Sequence, residues 1–302
     1  MTNNELIKFI QNWALGFDAR LSELVEALDM RVQGMQRELV RRFLEFVVDA
    51  FEFKDGKLTR TARNIRTTRK LERMFDGFVN SVVRPELNLF AGELMEVAGI
   101  TAGYYQATQP SATEERVRQT LNLIRALIGI DEDGNLFDDG YINKLSAIGA
   151  IREAVRNYVV SAIVSKRSLS DFQKGFKLLI QGKPGVDGEL QKYWRQYTYD
   201  TYNRVHEVAN EAFAESLNLK YFIYQGSIIP TTRQFCRKKA GKVFSDKEAA
   251  EWRNDPDLID QKTKLNYNPI IDRGRYNCRH FLTWISYELA VELRPELKKQ
   301  AA

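Results

Sequence analysis

Apolar residues recur at intervals of three and four along the first two thirds of the chain. Leu6, Phe9, Ile10, Trp13, Phe17, Leu21, Leu24, Val25 and Leu28 form one such series, which a helix gathers into a single stripe because each step returns to the same face. A second series over Val32 to Phe53 contains Leu39, Phe43, Phe46, Val47 and Phe51, and Asp55-Gly56 then predicts a turn. Further helices are expected at about Thr59 to Val83, Glu86 to Gln106, Thr113 to Ile128, Tyr141 to Ser165, Asp171 to Gln181 and Gly188 to Leu217, with Ser111 and Ser170 as N-caps. After about Leu219 the pattern changes. YFIYQGSII and HFLTWIS are rich in β-branched and aromatic residues and predict strands, whereas TTRQFCRKKAG predicts a short helix closed by Gly241. The expected fold is mainly α, with long amphipathic helices over residues 1–218 followed by a small C-terminal α+β domain over 219–302. The helical stripes are long enough to bury one another, so the first part is expected to fold without the second.

Two interruptions each have a functional and a plainer reading. Asp131-Glu132-Asp133-Gly134-Asn135 superficially suggests a calcium loop, but its sixth position is Leu136 instead of Gly and its twelfth is Ile142 instead of Glu. A turn between helices is the better reading. The helix breakers over residues 181–188 mark a candidate hinge, against the commoner alternative of an ordinary surface connection.

Composition narrows the class. With 302 residues, of which 44% are hydrophobic, the chain can build a substantial core in one or two domains. A formal charge of +5 mildly favours anionic partners. No window approaches the ~18 uninterrupted apolar residues that read as a membrane span, so no integral membrane contact is expected. MTNNELIKFIQNWAL lacks the charged-then-apolar layout of a secretory signal, and the mature protein is expected to start there. Two cysteines are too few for a disulfide scaffold and suit a cytoplasmic product.

The most cationic window, KLTRTARNIRTTRKLER, sets Lys57, Arg60, Arg63, Arg66, Arg69, Lys70 and Arg73 against one acid, Glu72. On a helix each three-residue step falls about 60° short of a full turn, so these charges are expected to wind around it. Such a path suits a phosphate backbone or an acidic protein groove, neither of which needs base-edge chemistry. The alternative is a solvated face whose arginines pair with acids on neighbouring helices. Few aromatic stacking partners and no known DNA-binding motif favour that alternative.

Both cysteines and one of the two histidines lie in the last quarter of the chain. Cys236, Cys278 and His280 are zinc-ligand types, with Asp272 or His206 as a distant fourth, but there is no C-x2-C pair and no assured fourth ligand. Packing of two buried thiols is therefore preferred, and no metal, cofactor or catalytic residue is assigned. Arg237, Lys238, Arg275 and Arg279 place positive charge nearby, which keeps a reactive thiol open. Gly241 and Gly274 suit positions of positive φ, while Phe235, Val243, Phe244, Trp252, Phe281 and Trp284 suit a small core. Arg233, Asn277, Arg279 and His280 have no place in an apolar core. A buried hydrogen-bond network is preferred for them over a surface that recognises carboxylate or phosphate.

These residues fall in a fixed order: TR-x-FC (Thr232, Arg233, Phe235, Cys236), G-K-V-F (Gly241, Lys242, Val243, Phe244), Trp252, and G-x-YNCRH (Gly274, Tyr276, Asn277, Cys278, Arg279, His280). The series resembles the C-terminal domain of phage minor head proteins, the head-morphogenesis family typified by phage Mu. Upstream, the run Asp55 to Asn64 and the stretch ANEAFAESLNLKYFIYQG are similar in order. The resemblance covers most of the chain and is specific over roughly its last quarter. It implies a virion structural protein, made in the host bacterial cytoplasm, that associates with the portal vertex or capsid interior. Its implied partners are other virion proteins, the portal or major capsid protein among them, with packaged DNA as a further contact of the basic window. The rival expectation is a C-terminal nuclease or nucleotidyl- or ADP-ribosyl-transferring enzyme using His280 with Arg233, Arg275 and Arg279. No second histidine lies nearby and no paired acidic metal motif is present, which places this reading behind the structural one.

Overall fold

The N-terminal stripe continues without a phase break, since Leu28 is followed by Val32, Met35 and Leu39, and the lone Gly34 among them is accompanied by neither proline nor a cluster of turn residues. The chain accordingly forms one helix, α1 (Asn3–Ala50), where two were expected. The computed structural model describes residues 1–145, 148–258, 266–275 and 278–300. After α1 come strands β1 (Phe53–Lys54) and β2 (Lys57–Leu58), paired antiparallel about Asp55-Gly56 with both turn residues left-handed. Helix α2 (Ala62–Thr67) starts at Thr61, whose side chain accepts from the Asn64 N–H. A 3₁₀ turn (Thr68–Lys70), α3 (Leu71–Phe78), a π turn (Val79–Val83) and α4 (Arg84–Thr108) follow directly. The break expected between Val83 and Glu86 is therefore bridged. Pro85 lacks an N–H and crowds the preceding turn, and it is there that the helical ladder widens.

Next in order are α5 (Glu114–Ile128), α6 (Tyr141–Lys144), α7 (Gly149–Val164), α8 (Leu169–Gln181), the short ribbon β3 (Gly182–Lys183) and β4 (Val186–Asp187), and α9 (Glu189–Ser216). Ser168 caps α8 by accepting from the Asp171 N–H, and Thr113 accepts from the Arg116 N–H at 3.4 Å, so the caps are two residues away from Ser170 and Ser111. In the Asp131 loop the carboxylate accepts the Asn135 N–H at 2.7 Å, in keeping with a turn. The segment read as a candidate hinge is the β3–β4 ribbon.

The last part holds β5 (Tyr221–Gln225), α10 (Gln234–Lys239), β6 (Val243–Ser245), α11 (Asp246–Ala250), α12 (Pro269–Asp272), β7 (Phe281–Ile285) and α13 (Tyr287–Leu293). The three strands form an antiparallel sheet in the order β6-β5-β7, with Phe222 opposite both Phe244 and Trp284. The fold is thus mainly helical with a small α+β part near the C-terminus. Among the described residues no helix is long and apolar enough to cross a membrane.

The chain divides into two compact units that are discontinuous in sequence. One comprises Met1–Leu24, Gly92–Ile128 and Tyr199–Ala302, and the other Val25–Ala91 and Gly129–Thr198. In the first, Trp13 and Phe17 of α1 lie 4.8 Å from Tyr104 and 5.2 Å from Phe281 respectively, between ring centroids, and the Tyr104 hydroxyl donates to the Trp284 carbonyl at 2.9 Å. In the second, Phe43 stacks on Phe176 at 3.4 Å. Residues 219–302 therefore share a core with parts of α1, α4 and α9, and the sequence boundary at 218 is not a seam between cores. The upstream stripes do bury apolar surface, but part of that surface is buried against β7.

Candidate functional site

Strand β5 is central in its sheet, so both its edges are paired, and Tyr224 on it is wholly buried. Its hydroxyl reaches two sulfurs, donating to Cys236 Sγ at 3.3 Å and lying 3.6 Å from Cys278 Sγ. Cys236 comes from α10, which ends because Gly241 takes a left-handed φ of 76°. Cys278 and His280 come from the approach to β7, two residues apart and on one side, as the C-x-H spacing predicts. The sulfurs are 3.8 Å apart, far beyond a disulfide bond, and both thiols are free. The ligand atoms of Cys236, Cys278 and His280 all lie within 4.8 Å of one another. The His280 ring stacks on Tyr224, centroids 5.2 Å apart, and its Nε2 is buried without a hydrogen-bond partner.

Gly274 has a different role from the one its type suggests. Its φ is not positive; instead a Cβ there would sit 2.5 Å from Cys236 Sγ and 3.1 Å from Cys278 Sγ, so the absence of a side chain is what admits the two sulfurs. Its carbonyl accepts from Arg233 Nη1 at 2.7 Å. On either side Arg273 and Arg275 have φ of 45° and 67°, a strained turn for residues with a Cβ. That turn is held by the Tyr267 hydroxyl, which donates to the Arg273 carbonyl at 2.6 Å, and by an ion pair between Arg273 and Glu207.

Glu207 and its neighbours on α9 form the buried polar network. Its carboxylate accepts from Arg273, from the Leu282 N–H at 3.0 Å and from Asn210 Nδ2 at 3.2 Å. Asn210 also donates to the Leu282 carbonyl at 2.7 Å and accepts from the Tyr105 hydroxyl, while His206 bonds Thr101 through Nδ1. Burial pushes the Glu207 carboxyl up to about 7, against the opposing pull of Arg273 and Asn210. Burial likewise holds His206 neutral, well below the usual histidine range, and with Thr101 on its Nδ1 and Asn210 on its Nε2 neither ring nitrogen is available as a fourth metal ligand. Cys236 keeps its proton because of its contact with Cys278 and its burial; Cys278 is held well below the usual thiol value, first by that same contact and then by His280 and Arg273.

The remaining motif residues separate clearly. Phe235 and Trp252 are buried and meet edge to face at 5.7 Å, beside Tyr224 and Phe244. Lys242 and Arg279 are exposed, so neither belongs to a buried network, and Asn277 lies outside the described residues. Asp272, one suggested fourth ligand, accepts the Asn268 N–H at 2.8 Å within α12's own cap. Sequence reasoning missed Tyr224, Glu207, Arg273 and Lys239. The Lys239 ammonium is 3.8 Å from the Phe235 ring centroid and pairs with Asp255, a desolvated cation–π contact of the stronger kind. The available signal for Glu207 and Asn210 was their place beside His206 on the inward stripe of α9, where polar residues imply partners.

No family model, curated protein or solved structure matches this chain.

The basic window is the other candidate surface. It does not form one helix: Lys57 is in β2, Arg60 in the link, Arg63 and Arg66 in α2, Arg69 and Lys70 in the 3₁₀ turn and Arg73 in α3. The reason is that Asn64 is buried and donates to the Glu52 and Thr59 carbonyls, pinning the hairpin to the start of α2. All seven cations are exposed. Among the described residues only Arg63 of the seven forms an ion pair, with Glu52 at 2.8 Å, while Glu72 is taken by Arg152 and Arg156. The expectation that these arginines pair with acids on neighbouring helices is therefore not met among the described residues, since Glu52 lies in the link between α1 and β1.

Proposed function

We propose that this chain is a minor head component of a bacteriophage particle, acting in head morphogenesis by binding other virion proteins at the portal vertex or capsid interior. The observation that carries this reading is the ordered TR-x-FC, G-K-V-F and G-x-YNCRH series, whose Arg233, Phe235, Cys236, Trp252, Gly274, Cys278 and His280 converge on one small module. Residues 42 positions apart meet there, as expected of a series that builds one structural unit. Burial favours binding over the enzymatic rival: His280 is 2% exposed and packed against Tyr224, which leaves a nucleic-acid phosphate no approach to its ring. Mass spectrometry of purified particles from the phage that encodes the chain tests the proposal, which requires the protein to be present in them.

In this reading the basic segment follows packaged DNA by its phosphates. The observation that favours it is the exposure of seven cations, six without an ion-pair partner among the described residues. Replacing Arg60, Arg63, Arg66 and Arg69 with Gln should lower the slope of log binding constant against log salt by up to about 0.9 for each phosphate left unneutralised. DNA titrations over a range of salt concentrations measure it, and an unchanged slope would remove this segment from the interface.

A further inference from the structure

From the convergence of Cys236, Cys278, His280 and Tyr224 we infer a structural zinc site, in which two thiolates, the imidazole and the tyrosine oxygen surround one ion. This departs from the thiol-packing reading of the sequence, and four observations favour it. A tetrahedral ion with Zn–S bonds of about 2.3 Å sets its sulfurs about 3.8 Å apart, and the sulfurs are 3.8 Å apart here. The same geometry with Zn–O of about 2.0 Å gives an O···S edge of about 3.5 Å, and the Tyr224 oxygen lies 3.3 and 3.6 Å from the two sulfurs. His280 supplies the remaining corner. Its Nε2 is buried and has no hydrogen-bond partner, which costs free energy in a protein interior unless a ligand compensates it. Finally, Gly274 sets no side chain of its own against the two sulfurs, and its carbonyl is fixed by Arg233.

Charge agrees with the assignment. Binding releases the proton that Cys236 keeps to solvent, and two thiolates with a divalent zinc ion are neutral together. A neutral centre suits a site whose residues are each under a tenth exposed. The nearby cation, Arg273, is already paired with Glu207. Such a centre ties β5, α10 and the approach to β7 together, adding the binding free energy of the ion to the stability of this part of the fold.

The test uses the full-length protein, purified in reducing buffer without chelator. Elemental analysis should find about one zinc per chain, and replacement by cobalt should produce thiolate-to-cobalt charge-transfer absorption and the intense visible bands of a four-coordinate ion. Cys236→Ser, Cys278→Ser and His280→Ala should each lose the bound metal, while Tyr224→Phe should keep the thiolate absorption and bind cobalt at least about tenfold more weakly. Because a cysteine variant can fail to fold, the unmodified protein provides an independent readout: a strong chelator should lower its melting temperature. The proposal is overturned if the reduced protein contains no zinc and takes up none when it is added. It is equally overturned if chelator leaves the melting temperature unchanged, or if cobalt spectra are the same with and without the two cysteines.

Discussion

Glu207→Ala is expected to destabilise the protein by about 3–5 kcal/mol, because it strands a buried guanidinium. Arg273 and Glu207 are both essentially inaccessible to water, and the carboxylate also receives the Leu282 N–H and Asn210. Removing it leaves the Leu282 N–H unsatisfied as well as the Arg273 charge unpaired, and each buried orphan adds to the cost. The paired replacement Glu207→Leu with Arg273→Met should recover most of the loss, since apolar side chains of similar volume remove the charge and its demand together. Urea unfolding of the two variants and the parent measures both effects. Equal stability of Glu207→Ala and parent would mean that this network does not hold the turn carrying Gly274.

The second large effect concerns the division of the chain. Truncation after Leu219 is expected to yield an aggregating protein without a cooperative transition for its first unit. The helices alone were expected to suffice, but Phe281 of β7 packs edge to face with Phe17 and Trp13, and the strand's backbone satisfies Asn210 and the Tyr104 hydroxyl. Its loss uncovers several large aromatic side chains, each worth about 1.5–3 kcal/mol of burial, and leaves buried polar groups without partners. Calorimetry and light scattering on the truncated chain decide the matter. A soluble monomer with an intact cooperative transition would restore the boundary at 218 as a seam between independent domains.

Much of the fold was legible because it depends on local period. The stripe from Leu6 to Phe51 and the β-branched runs around Phe222 and Trp284 announce helix and strand through neighbours only a few residues away. What local pattern could not convey was continuity and contact. Nothing near Leu28 marks a stop, and only the unbroken phase reveals a single α1. The basic window looked like one helix because its charges recur, whereas buried Leu58 and Asn64 decide its path. At the site, both cysteines and His280 stood out by rarity, and the structure brings them together. Tyr224 looked like any strand aromatic, and Glu207 like any helix acid, because the residues that give them their roles are 54 and 66 positions away in sequence. Gly274 shows the same limit: its type was noticed, but a close approach to sulfur cannot be read from neighbours in the chain.

The proposal that this chain belongs to the phage particle is tested most directly by its copy number in purified virions, measured by quantitative mass spectrometry against the major capsid protein. A minor head component at the portal vertex or capsid interior should be present at a small, reproducible number of copies per particle and should persist after gradient purification. Absence from purified particles, with the protein found only in the soluble fraction of the infected cell, would contradict the account.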